Sequence, residues 1–300
     1  MNTQDAYRAC LAQAHAHYEN FPVASRLLPR RLRGPVAAIY VFARRGDDLA
    51  DEGSDSAHER LAALDAMETE LERVVQGREP GDDALWVALA DSIHHWGLPD
   101  HELRSLLVAF RQDVTQTRYW SFDEVLGYCE HSANPVGRLL LHLVDAANGP
   151  NIAAADAVCT GLQLINFLQD LRQDLVDRDR LYIPQRDLAR HGVTREMLAT
   201  GEPHPPVQAL LAEQIERAAW WLYEGRRLPR GFRGRMRGEI KAIIRGGWCI
   251  VEHLRARKPT DPFARPRLQR RDRRWIARGL LPGPTLPRTI TAPTDPVPRG

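Results

Sequence analysis

Apolar residues recur at three- and four-residue intervals along almost the whole chain, and alternating runs bounded by turn residues are scarce. That spacing is the period of an amphipathic helix, not of a half-buried strand, so the chain is predicted to be all-α. It predicts helices near 3–19, 34–50, 56–76, 83–96, 100–117, 121–145, 151–175, 206–228 and 232–257. The breaks carry the expected stop signals: Pro22 and Pro29, Gly53, Gly77 to Gly81, Gly97 with Pro99, and Gly149 with Pro150. Pro135 lies inside the 121–145 pattern and should kink that helix, because proline removes an intrahelical hydrogen bond. The long connection over 176–205 has room for short helices near 186–191 and 195–199.

The chain has 300 residues, 43% of them hydrophobic and 27% charged, which excludes fibrous and wholly disordered classes. Residues 1–279 read as one all-α domain. Residues 281–300 hold six prolines and no apolar period, so a disordered tail is expected from 280 on. Cys10, Cys129, Cys159 and Cys249 are far apart with no CxxC pair, the usage of buried thiols and not of a zinc site or disulfide framework. The N-terminus lacks a basic region followed by an apolar core. The longest uninterrupted apolar run, Pro35 to Ala43, is short of the ~20 residues needed to cross a bilayer. A cytoplasmic protein, peripheral to a membrane at most, is the expectation.

Two acidic clusters interrupt strongly apolar helices. The first lies in PVAAIYVFARRGDDLADE, with Asp47, Asp48, Asp51 and Glu52; the second lies in VCTGLQLINFLQDLRQDLVD, with Asn166, Asp170 and Asp174. In each, two aspartates stand four residues apart and share one helix face, where like charges destabilise the helix. A cost met twice invites a cation. All-oxygen ligands suit Mg²⁺, which keeps several waters and bridges one or two carboxylates to substrate phosphates. Two such faces opposed across a bundle would hold Mg²⁺ around a diphosphate; the alternative is a pair of solvated acidic faces. Arg44 and Arg45 either salt-bridge to the neighbouring carboxylates or clamp a phosphate oxygen with a planar guanidinium. Gln163, Asn166, Asp170 and Asp174 form one stripe among Leu, Ile and Phe, the pattern of a lined polar pocket.

At these residues the chain resembles the squalene/phytoene synthase family of all-α isoprenoid synthases, over roughly residues 7–275. The first aspartate-rich motif is matched by DDLAD at 47–51, and the QxxNxxxDxxxD motif by Gln163, Asn166, Asp170 and Asp174. An R-[IVL]-Y-[IL]-P segment is matched by Arg180 to Pro184, a YC…G segment by Tyr128 to Gly137, and an N-terminal His-x-x-x-Phe by His17 and Phe21. The resemblance implies a single-domain helical bundle with a central active-site cavity. It implies that Asp47, Asp51, Asn166, Asp170 and Asp174 bind Mg²⁺ and that Arg44 and Asn20 contact diphosphate oxygens. Tyr40 and Tyr128 would line the cavity that shields a carbocation; His17, Phe21, Gln163, Arg180 and Tyr182 complete the substrate-binding set. SANPVGRLLLHL and GLQLINFLQD are similar to the hopanoid-pathway branch that ionises presqualene diphosphate and lets water quench the cation. That reaction needs one positioned water, and Asn134, placed where the condensing branch usually has a small residue, is expected either to hold it or to satisfy backbone groups freed at Pro135. The other branch condenses two prenyl diphosphates.

Three departures from the condensing branch stand out. Gln169 replaces the Arg that commonly precedes the second motif, Gly247 beside Trp248 replaces a Tyr, and the stretch from Asp174 to Tyr182 is one residue longer. Losing a cation and a tyrosine fits a site for one diphosphate. Phe21, Tyr40, Tyr128, Phe167 and Trp248 either pack the core or stabilise a cation through their π faces. A non-catalytic member would be expected to have lost these carboxylates. The implied partners are a prenyl diphosphate substrate and an enzyme that makes presqualene diphosphate.

Charge is divided sharply along the chain. Residues 1–225 carry 21 basic and 34 acidic side chains, a balance of −13; residues 226–300 carry 20 basic and 5 acidic, a balance of +15. No base-stacking or helix-turn-helix signature accompanies the basic quarter, so nucleic acid is not expected. The basic quarter is either a solvated arginine-rich segment or a peripheral contact with an anionic membrane.

Overall fold

A computed structural model describes residues 1–16, 28–258 and 260–279. Among them are thirteen α-helices: α1 Thr3–Ala16, α2 Arg30–Asp51, α3 Ala57–Val75, α4 Ala84–Trp96, α5 Asp100–Thr115, α6 Phe122–Ser132, α7 Asn134–His142, α8 Gly149–Asp177, α9 Gln185–His191, α10 Arg195–Thr200, α11 Pro205–Glu224, α12 Gly234–Arg255 and α13 Arg270–Arg278. A 3₁₀ turn, Gly225–Gly231, follows α11. The described residues hold no strand, only an isolated bridge between Arg118 and Leu181. The all-α class is therefore the observed one. The expected tail beyond Gly279 lies outside the described residues.

The helix boundaries differ from expectation in three instructive places. α2 starts a turn earlier than the apolar pattern, with Pro29 as its N-cap, and carries Pro35 inside its first two turns. The region around Pro135 is a break and not a kink: α6 ends at Ser132, and α7 starts at Asn134 with the proline in its first turn, where no amide donor is needed. α13 was not foreseen, because RRDRRWIAR has almost no apolar stripe. Its Gln269 and Asp272 nevertheless form a reciprocal capping box.

The chain forms two compact units, although no boundary was drawn within 1–279 from sequence. One comprises residues 1–115, 131–153 and 230–239; the other comprises 116–130, 154–229 and Ile240 onward. The first unit buries a core of Phe42, Leu64, Leu71, Leu89, Leu103, Leu107 and their neighbours. Here α2 touches α1, α4 and α5. Its approach to α5 depends on Gly46, where a Cβ would lie 2.4 Å from the Phe110 ring.

The second unit buries a charged cluster. Arg217, whose side chain is 1% exposed, pairs with Asp187 at 2.6 Å and Glu213 at 3.1 Å. Gln214 donates to Asp187 at 2.9 Å, and the Arg217 guanidinium lies 4.2 Å from the Phe122 ring centroid. Four groups thus satisfy one another and fix α9 on α11. α8 is long and apolar enough to cross a membrane, but half of its apolar window is buried inside the protein.

Candidate active site

In the first unit the final turns of α2 concentrate three carboxylates around one guanidinium. Arg44 Nη2 lies 2.7 Å from Asp48 and 2.9 Å from Glu52, and its Nη1 lies 3.4 Å from Asp47. Arg45 turns the other way and grips Asp83 with both terminal nitrogens, at 2.7 and 3.2 Å. Asp83 also caps α4 through the Leu85 amide. Of the two arginines, Arg45 is thus engaged in holding the fold, and Arg44 in neutralising the carboxylates. Loss of hydration and then the Asp51 charge push the Asp47 carboxyl up to about 7; Asp113 and Asp48 add to this and Arg44 opposes it. Asp113, on α5, comes near because Gly46 lets the two helices touch. A cavity of about 280 Å³ beside this cluster is lined by Tyr40, Arg44, Arg45, Asp48, Gln13 and Leu49, with Val41.

In the second unit α8 carries Asp170 and Asp174. Asp170 pairs with Arg265 at 2.5 Å, and Asp174 with Arg178 at 3.0 Å. Burial raises Asp170 against the pull of Arg265, Arg178 and Arg267. Burial followed by the Asp170 charge raises Asp174 to about 6. A cavity of about 370 Å³ opens here, lined by Gln169, Asp170, Gln173, Phe263 and Arg265 among others. The segment bearing Arg265 is tied to α8 through backbone carbonyls. Gln169 donates to Pro266 at 2.7 Å, while Arg257 donates to Leu168, Pro262 and Ala264. Burial among these carbonyls lowers Arg257 to about 10. The position where a cation was expected to be missing, Gln169, therefore helps hold another arginine against Asp170.

The donor set of both clusters is all oxygen, the chemistry that suits Mg²⁺. Among the described residues no three His, Cys, Asp or Glu side chains already converge as a metal site. That is compatible with an ion taking one or two carboxylates and completing its shell with water and phosphate. The Asp47 and Asp174 carboxyls are raised first by burial and then by a neighbouring carboxylate, which Arg44 and Arg178 offset only in part.

The second unit also assembles an aromatic wall. Phe167 and Tyr182 stack with centroids 3.8 Å apart, Tyr128 lies 5.2 Å from Tyr182, and Tyr119 stacks on Tyr182 at 5.5 Å. Arg180, buried, donates to the Tyr182 hydroxyl at 3.4 Å. Before it the chain turns at Asp179, whose φ of 50° is left-handed and whose carboxylate receives Arg118 and Arg195. The Arg180 amide then returns to the Asp174 carbonyl at 2.9 Å.

The remaining expected residues fall as follows. Asn134 is buried at the start of α7 in the first unit. Asn166 is exposed and Gln163 half-buried on α8, and neither lines the cavity at Asp170. His17, Asn20 and Phe21 lie outside the described residues. Trp248 is buried, with Arg255 over its ring. At Gly247 a Cβ would lie 2.6 Å from a Leu162 methyl and 3.1 Å from a Leu222 methyl, so those leucines fill the space a larger residue would use. Arg178, Arg265, Asp113 and Tyr119 were missed. Only Arg178 had a signal, its i,i+4 spacing from Asp174.

Residues 14–274 match the squalene/phytoene synthase family. A hydroxysqualene synthase from Sinorhizobium fredii is 36% identical over 244 residues, covering 80% of this chain and 81% of that protein. A phytoene synthase from Mycobacterium tuberculosis is 31% identical over 228 residues, covering 75% of this chain and 74% of that one. Among solved structures, squalene synthase HpnC from Alicyclobacillus acidocaldarius superposes with a TM-score of 0.78 at 33% identity, covering 85% of this chain and 94% of that chain.

Proposed function

The chain belongs to the squalene/phytoene synthase family, and we propose that within it the reaction is that of a hydroxysqualene synthase. Presqualene diphosphate loses pyrophosphate, the cation rearranges, and water adds to give hydroxysqualene. The chain is a synthase of the squalene/phytoene type in any case, with a fold of helices only among its described residues. The observation that carries the finer reading is Gly247. The tyrosine expected of the condensing branch at this position would require the Leu162 and Leu222 methyls, which now fill that space, to move. The 36% identity to a hydroxysqualene synthase supports the same choice.

In this reading Asp47 and Asp51 in one unit, and Asp170 and Asp174 with Asn166 in the other, bind Mg²⁺. An ion held there would supply positive charge to offset that on the pyrophosphate leaving group. The protein's own share is electrostatic and steric. Arg44, able to trade a carboxylate for a phosphate oxygen, would stabilise charge growing on the leaving group, and in the other unit Arg180 stands beside Tyr182. The buried Phe167, Tyr182, Tyr128 and Tyr119 rings, stacked and packed on one another, exclude water. Tyr40 lines the cavity beside Arg44. Asn134 orients the single water that is admitted, and the released pyrophosphate is the strongest base the reaction itself supplies for the lost proton. A presqualene diphosphate-forming enzyme would supply the substrate.

The test is product analysis with purified protein and Mg²⁺ in ¹⁸O-labelled water. Presqualene diphosphate should give a C30 alcohol carrying the label, and farnesyl diphosphate alone should give no C30 product. A C30 product from farnesyl diphosphate alone would establish the condensing reaction instead.

A further inference from the structure

We propose that the outer face of α13 is a docking surface for an anionic lipid bilayer. The helix has two dissimilar sides. Asp272, Trp275, Ile276 and Gly279, spaced three and four apart, face the protein. Asp272 is buried, lies 2.8 Å from His253 Nε2 and accepts the Gln269 amide at 2.6 Å. Trp275 lies beneath the Arg245 guanidinium, 4.0 Å from carbon to ring centroid. These contacts seat α13 on α12. Arg270, Arg273, Arg274 and Arg278 occupy the opposite side, all exposed and none paired with a carboxylate among the described residues. The helix's one acid is turned inward, so the outer face carries cations alone. Arg255, paired with Glu216 and Glu252, and Arg265, paired with Asp170, are engaged elsewhere in the same unit; Arg172 and Arg227 are exposed without a carboxylate partner among the described residues, but each stands alone, whereas α13 gathers four on one face.

The distribution selects the occupant. From Arg270 to Arg278 the four guanidiniums extend over roughly 12 Å of helix axis, too far for one phosphate and suited to several headgroups. No ring on that face is offered for base stacking, since Trp275 points inward. The choice of a lipid surface over another polyanion rests on the proposed reaction, whose C30 substrate and product dissolve in membranes. Arg233, Arg235 and Arg237 are also exposed, but Arg235 and Arg237 stand two residues apart on a helix and project from opposite sides.

The experiment is co-sedimentation of the full chain with phosphatidylcholine vesicles, with and without a third phosphatidylglycerol, at low and high salt. Binding is expected only to the anionic vesicles and only at low salt. Each basic residue at such a surface strengthens binding about fivefold, so R273Q/R274Q should bind about 25-fold more weakly. Its turnover of detergent-dispersed substrate should be unchanged, and the charge-matched R233Q/R235Q should bind like the parent. Equal binding by R273Q/R274Q and parent overturns the proposal. So does displacement by duplex DNA at equal phosphate concentration, which would make the face a nucleic-acid site, or by inorganic pyrophosphate, which would make it a small-anion site. Vesicle binding is read without substrate, so failure to convert presqualene diphosphate refutes the proposed reaction and leaves this measurement standing.

Discussion

Replacing Asp174 by asparagine should make the metal-free protein more stable at neutral pH while abolishing its chemistry. The Asp174 side chain is 12% exposed, and burial plus the Asp170 charge lift its carboxyl from 3.8 to about 6. The folded state therefore holds the proton more tightly than the unfolded chain does. The stability this contributes is fully present below the unfolded value and is lost as pH rises through about 6. Roughly two pH units at ~1.4 kcal/mol each put the loss near ~3 kcal/mol. Asparagine keeps the shape without the charge. The pull of Arg178 is already contained in the value of about 6, so its loss is not subtracted again. The net expectation is a gain of ~3 kcal/mol near pH 7.5, shrinking to below ~1 kcal/mol near pH 4. Denaturant unfolding followed by circular dichroism across that range measures it. Mg²⁺ with pyrophosphate should then stabilise the parent and not D174N, because a ligand bound only by the folded state raises stability by mass action. A variant less stable than the parent at neutral pH, or a difference that does not change with pH, would refute the reasoning.

Two further substitutions test the packing that positions these groups. Arg217→Met leaves buried Asp187 with only the more exposed Arg190, 2.8 Å away, as its cation and should cost at most ~3–5 kcal/mol in denaturant unfolding, whereas R217M/D187L should recover most of that. Gly46→Ala forces a methyl to within 2.4 Å of the Phe110 ring and should cost ~1–3 kcal/mol, with partial recovery on adding Phe110→Leu.

The sequence was most legible where one helix carries the whole pattern. Asp47 and Asp51, and Asp170 and Asp174, were readable because a charge every fourth residue inside an apolar run has no packing explanation. Residues whose role depends on a distant partner were not readable. Arg265 is one arginine among many in a basic quarter, and only the ties from Gln169 and Arg257 to backbone carbonyls bring it to Asp170. Asp113 sits in an ordinary amphipathic helix and matters because a glycine on another helix permits contact. The α13 helix escaped notice for the opposite reason: its inward face is built from one carboxylate, one indole, a single isoleucine and a glycine, not from an aliphatic stripe.

The chain's arginines show why charge counted along a sequence is a poor guide to what the charge does. Arg217 is buried and fully committed to Asp187 and Glu213, so its contribution is structural and its removal exposes a buried anion. Arg45 is committed to Asp83, which itself caps α4. Arg44 faces three carboxylates that outnumber it, so a phosphate or a metal changes its balance and leaves the fold intact. The arginines of the outer α13 face have no carboxylate partner among the described residues, so a ligand meets them at full charge. Burial and the number of competing anions, more than position in the chain, separate the cations that hold this protein together from those able to act on something else.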